Sequence, residues 1–225
     1  MKLLAVGALV AVLLAGGAEA ATAPATTKTV TVSGTGTVDA VPDQASFSFT
    51  VQTKAATAAA ALGRNATVTR AVISAVEDAG VAEADIQTSQ ISLDPVTSSD
   101  GTSIVAFTAS DTISVTGLVI AKAGAVVDAA VGAGATNVDG PSLSLSSQDA
   151  DYAKALKLAV GQAKTKAQAL ADAAGLTLGG VVTMSEGGGV AVPLPFAQGA
   201  AKDVTPIEPG TQSVQASVTV TFALS

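Results

Sequence analysis

Between Ser147 and Gly175 the apolar residues recur at alternating steps of three and four: Ala153, Leu156, Val160, Ala163, Ala167, Leu170 and Ala174. That spacing puts every one of them on a single seam of a helix. Lys154, Lys157, Lys164 and Lys166 fall off the seam. Asp149 and Asp151 lie in the first turn, where the helix dipole favours acids. Ser147 is the predicted N-cap and Gly175 the left-handed stop. A seam so rich in alanine lets a sheet approach closely. The predicted partners are the strands on either side, Asn137–Leu145 and Gly180–Met184.

The rest of the chain alternates between the period of two and the period of 3.6. Thr29–Gly34 and Gly36–Ala40 read as one glycine-interrupted strand, and Ala45, Phe47, Phe49 and Val51 as a second. With Val41-Pro42-Asp43 as the turn, the two form a predicted hairpin, and Gly34-x-Gly36 is expected to be a bulge or bend. From Ala55 to Ala79 the period becomes helical through Leu62, Ala66, Thr69, Val72 or Ile73, and Val76, and Gly80 ends it. Strands are predicted over Ile86–Leu93, closed by Pro95, and over Ser103–Thr116. A shorter helix begins near Ala121 and stops at Gly132 and Gly134. Strands follow at Asn137–Leu145 and, after the long helix, at Val181–Ser185. Glu186–Thr205 has no period and reads as a long exposed loop displaying Val190, Val192, Leu194 and Phe196. Val214, Ala216, Val218, Val220 and Phe222 alternate in a closing strand.

The order is β-β-α-β-β-α-β-α-β-β, an α+β fold with a mixed or antiparallel sheet covered by two or three helices. Strand–strand–helix–strand occurs twice, at residues 29–93 and 86–145, and hints at an internal duplication. Residues 1–20 read as a secretory signal peptide: Lys2, the apolar run Leu3–Leu14, and Ala18-Glu19-Ala20 as the cleavage site. No cysteine follows for a lipid anchor, and no membrane span is expected in the mature form. Residues 21–28 form a loose leader, and 29–225 a single domain with the exposed loop 186–205.

Composition narrows the chemistry. The chain is 48% hydrophobic but only 3% aromatic, so its core gains little area per residue and a subunit interface is a natural way to bury more. Histidine and cysteine are both absent, which removes disulfides, thiolate nucleophiles and the commonest general base and metal ligand. A net charge of −7 with no basic stripe argues against nucleic acid. The remaining reagents are carboxylates, hydroxyls and lysines. Asp149-x-Asp151 lacks the oxygens and glycine turn of a calcium loop. Asp39 and Asp43 flank Val41-Pro42 as turn residues rather than an acid–base pair. Ser185-Glu186-Gly187 is no nucleophile elbow without a histidine, and no serine is placed by sequence beside Lys154 or Lys166. Arg64 and Arg70 read as solvated helix charges, and Asn65-Ala66-Thr67 matches a glycosylation sequon on a helix.

A set of short motifs runs the length of the chain, opening with Val32-Ser33-Gly34-x-Gly36 and Pro42-Asp43-x-Ala45. Asn65, Gly80-Val81, Asp85–Thr88 and Leu93-x-Pro95 continue it. Gly134-Ala135-x-Asn137-Val138, Ala163-x-x-Lys166-Ala167, Gly175-Leu176-x-Leu178-Gly179 and Ile207-x-Pro209-Gly210 complete it. In these residues, in their order and spacing, the chain resembles the SIMPL-domain family of secreted and periplasmic bacterial proteins. Two positions depart, at Ser103–Phe107 and around Tyr152-Ala153-Lys154. The resemblance implies a likeness to periplasmic immunogenic and oxidative-stress-related proteins and to ring-forming homo-oligomers. It implies no reaction. Sequence therefore assigns no catalytic, cofactor-binding or metal residue. The expected function is a non-enzymatic envelope protein that self-assembles. A ligand- or peptide-binding module using loop 186–205, and an unrecognised hydrolase, stand as alternatives.

Overall fold

The structure, a computed structural model, describes residues 28–188, 191–194 and 205–225, with backbone only for 191–194. The order of elements is the expected one with a short strand added. It runs β1 (Thr29–Ala40), β2 (Gln44–Ala55), α1 (Ala58–Asp78), β3 (Ile86–Thr97), β4 (Ile104–Val119) and α2 (Ile120–Gly132). Then come β5 (Asn137–Ser144), α3 (Gln148–Ala173), β6 (Leu178–Gly187), β7 (Ala191–Leu194) and β8 (Thr211–Leu224). The fold is α+β, and all its strand pairings are antiparallel.

The strands divide into two sheets, β3-β4-β2-β5 and β1-β8-β6, with β7 continuing β6 along β8. β1 and β2 therefore do not form a hairpin. Val41-Pro42-Asp43 carries the chain from one sheet to the other, and β1 pairs with β8 from Thr29↔Ala223 to Ala40↔Gln212. The first of the two repeated runs is thus split between sheets, whereas β3-β4-α2-β5 lies within one. The strands nearest the two ends of the domain cover each other, because β8 sits between β1 and β6.

In the first sheet, β2 buries Ala45, Phe47, Phe49 and Val51 and half-exposes the polar residues between them. α1 and α2 close over this face with Val72, Val76, Ala123, Val126 and Ala130. Thr57 caps α1, accepting from the Ala60 amide at 3.3 Å, and Gly80 ends it at φ +98°. The buried stripe of α1 is Ala61, Asn65, Thr69, Val72 and Val76. It shares the predicted line from Thr69 onward but turns by one residue before it, leaving Leu62 exposed. Strand β3 does not stop at Pro95 but runs on to Thr97. It is an edge strand, where a missing ladder donor is tolerated.

In the second sheet α3 covers β1 and β8, not Asn137–Leu145, which belongs to the other sheet. Its buried line is Asp151, Ala155, Ala159, Ala163, Ala167 and Ala171. Only Ala163 and Ala167 of the predicted seam are on it. Leu156 and Val160 flank it half-buried, while Ala153, Ala174 and Leu170 are exposed. The reason lies across the interface. A Cβ on Gly34 would stand 2.0 Å from the Ala159 carbonyl oxygen, and one on Gly36 would stand 2.1 Å from that of Ala155. Gly34-x-Gly36 is neither bulge nor bend, since β1 keeps unbroken register there. It is the track on which the helix backbone rests, and only alanine-sized side chains fit between. Gly175, at φ +64°, ends the helix as predicted.

Candidate functional site: the α3 cover and the open edge of its sheet

The entry to α3 gathers the acids and hydroxyls noted in the sequence. Ser147 occupies the cap position, but its hydroxyl makes no cap bond; it donates to Asp151 Oδ2 at 3.0 Å. Lys154 donates to Asp151 Oδ1 at 2.8 Å, the one ion pair among the described residues. These contacts, the Lys154 hydrogen bond first, hold the Asp151 carboxyl below the usual carboxylate range. Asp149 is exposed. No three acidic side chains converge anywhere among the described residues.

Asp39 and Asp43 are separately engaged rather than paired. Asp39 accepts from Ser213 Oγ at 2.5 Å. Asp43 accepts from the Ser146 amide at 2.7 Å and from its hydroxyl, and these bonds lower its pKa. Through its backbone Asp43 also bonds Ser144 and Ile120, so one turn residue clips together the starts of α2 and α3. Lys166 donates to the Ser33 carbonyl at 2.9 Å, while the Ser33 hydroxyl faces Thr219 at 3.3 Å. No Ser-Lys nucleophile is formed there. Glu186 accepts from the Tyr152 hydroxyl at 2.5 Å, tying β6 to α3.

Two edges bound this sheet, and they differ. On β1, Gln162 Oε1 accepts from the Thr35 amide at 2.8 Å and Lys166 takes the Ser33 carbonyl, so α3 side chains occupy the ladder groups. Among the described residues β6 has no such cover. Val181, Val182 and Met184 are each about half exposed, at 51%, 53% and 49%, and its single charge is Glu186. β7 extends the same edge inside the stretch read as a loop; residues 189–190 and 195–204, with Val190 and Phe196, lie outside the described residues.

Sequence reading placed Thr69 on the stripe of α1 but missed the burial of Asn65 and Asp111 beside it. Asn65, Thr69 and Asp111 are buried where α1 meets β4. Asn65 Nδ2 donates to the Val51 and Ala109 carbonyls at 2.8 and 3.3 Å, so the sequon amide is committed to the core. Asp111 Oδ1 and Thr69 Oγ1 have no hydrogen-bond partner. Burial pushes the Asp111 pKa up, and the nearby Thr69 hydroxyl offsets part of that. The available signal was parity: Asp111 shares its face with Ala109, Ile113 and Val115.

Residues 30–222 match the SIMPL family, described as "Protein of unknown function (DUF541)". The chain belongs to the SIMPL family. Two relatives, from Brucella melitensis biotype 1 and Brucella abortus strain S19, are each named 26 kDa periplasmic immunogenic protein. Each is 30% identical over 210 residues, 87% of this chain and 84% of the relative. Neither the family description nor these names assigns a reaction. This SIMPL protein is periplasmic or secreted. No helix among the described residues is long and apolar enough to cross a membrane.

Proposed function

We propose that this SIMPL protein is a non-enzymatic envelope protein, exported by a signal peptide cut after Ala20, that works by self-association through the β6 edge. The observation that carries this is the contrast among sheet edges. Exposed strand edges invite pairing with another chain and are ordinarily blunted by charge, proline or cover. β1 is covered by Gln162 and Lys166, β3 carries Asp94 and Pro95, and β5 carries Asp139 and Pro141. β6 has register irregularities up to Thr183, yet offers Val181, Val182 and Met184 half-exposed with no charge before Glu186. A half-exposed apolar strip on an edge with no charge before Glu186 supports an interface there. Pairing there is compatible with a two-fold dimer, and with a ring if the second surface differs. A role in envelope or oxidative stress is carried by family resemblance alone.

Sedimentation velocity of the exported form at tens of micromolar tests the reading. The wild type is expected as an oligomer and a Val182→Asp, Met184→Asp double variant as a monomer, with unchanged circular dichroism. A wild-type monomer, or an oligomer indifferent to both substitutions, overturns it.

A further inference from the structure

A pocket of about 550 Å³ opens between the end of β2 and the first half of α1, lined by Thr53, Lys54, Gly63, Arg64, Thr67 and Val68. It is open to solvent: Thr53 and Val68 on its lining are half-buried, and Lys54, Gly63, Arg64 and Thr67 are exposed. We propose that it binds a small organic anion, a carboxylate or phosphate monoester carried on a short apolar body. It is separate from the β6 edge and does not depend on self-association.

Three observations converge. The first is charge. The chain has 18 acidic and 11 basic residues, yet two of the bases line this one pocket and no acid does. Neither Lys54 nor Arg64 makes an ion pair or hydrogen bond among the described residues. Two like charges lining one pocket repel, and a bound anion relieves that.

The second is donor chemistry. The Thr53 hydroxyl donates to the Ala61 carbonyl at 2.9 Å and the Thr67 hydroxyl to the Gly63 carbonyl at 3.0 Å. With both hydroxyl protons committed to the helix, the free side-chain donors of the pocket are the ammonium and the guanidinium. A ligand that only accepts hydrogen bonds suits them, and the guanidinium fork matches carboxylate or phosphate oxygens. Val68 and the aliphatic stems of Lys54 and Arg64 supply an apolar wall.

The third is Gly63. A glycine inside a helix is destabilising relative to alanine. Here it has ordinary helical φ, and a Cβ would meet nothing within 4 Å, so neither conformation nor packing asks for it. A small residue there leaves the pocket open, whereas a side chain longer than alanine at 63 would project into the space.

Isothermal titration of the exported protein with octanoate, octyl phosphate, octanol and inorganic phosphate tests the assignment. Saturable one-to-one binding of octanoate or octyl phosphate is expected, and whichever binds identifies the head group. Octanol and inorganic phosphate should bind at least about tenfold more weakly. Lys54→Gln and Arg64→Gln should each weaken binding about tenfold without moving the melting temperature, both residues being exposed. Gly63→Leu should abolish binding while the helix stays folded, and Gly63→Ala should bind as wild type. No saturable heat up to millimolar ligand overturns the proposal. So does octanol or inorganic phosphate binding as tightly as the amphiphilic anion, or binding untouched by the Lys54, Arg64 and Gly63→Leu changes.

Discussion

Adding one methyl group to Gly34 is expected to separate α3 from its sheet. The new Cβ would lie 2.0 Å from the Ala159 carbonyl oxygen and 2.8 Å from the Ala163 amide nitrogen, both backbone atoms that no rotamer can move. Ordinary contact begins at 3.4 Å, so the helix must retreat by the difference, 3.4 − 2.0 = 1.4 Å. Overpacking of this kind costs about 1–3 kcal/mol and occasionally more. The retreat also stretches the Gln162–Thr35 and Lys166–Ser33 hydrogen bonds, now 2.8 and 2.9 Å, worth roughly 0.5–1.5 kcal/mol each. Gly34→Ala should therefore lose about 2–6 kcal/mol, a large share of an ordinary domain's roughly 5–15 kcal/mol. With no tryptophan and one tyrosine, urea unfolding is best followed by far-ultraviolet circular dichroism and extrapolated linearly. Gly161→Ala, on the same helix with open space around it, is the control and should be neutral or stabilising by up to about 1 kcal/mol. Trimming Ala163 to glycine should not rescue Gly34→Ala, because the closest clash is with the Ala159 carbonyl. A Gly34→Ala protein within about 0.5 kcal/mol of wild type would refute the close-approach reasoning.

Asp111→Asn should raise the melting temperature at pH 7. Burial raises the Asp111 pKa, so its contribution is favourable below the unfolded value near 3.8 and lost as pH rises through the folded value. The gain over wild type should thus shrink as pH is lowered toward 3.8, as melts across a pH series would show. Asp43→Asn should act in the opposite direction: a lowered pKa gives stability present above about 3.8 and lost in acid, so the variant is less stable at pH 7 and less acid-labile. Leu170→Ala should cost less than about 1 kcal/mol in denaturant melts, since half of that side chain already meets water.

How much of this was legible in the sequence differs from element to element. β2 and β8 could be read almost residue by residue, because strict alternation of Phe47, Phe49 and Val51, or of Val214 to Phe222, leaves one arrangement that buries the apolar face. The long helix was legible as a helix, with its stop at Gly175, but its buried stripe was not. Weighting by hydrophobicity drew the seam through Leu156 and Leu170, whereas the surface it meets is a glycine track that admits alanine alone. At the candidate sites, Asp43 and Asp151 were legible as turn and helix-start acids, whereas Asp39, read as a turn residue, lies in β1 opposite Ser213. Arg64 was not legible as a pocket residue, since the wall that faces it, Thr53 and Lys54, comes from another element.

Sequence by itself determined the kinds and order of the elements other than β7, their glycine stops, the inward parity of the best strands and the absence of histidine and cysteine reagents. Those properties are local: a period of two or 3.6 and a left-handed turn are set within a few residues. Tertiary structure decided which strands pair, Thr29 with Ala223 and not β1 with β2. It also decided which stripe of α3 is buried, that Gly34 and Gly36 serve close approach, and that Asp111 is sealed beneath α1. A periodic pattern says which side chains share a face but not what that face meets. The partner's shape, supplied by residues far away in the chain, made the choice.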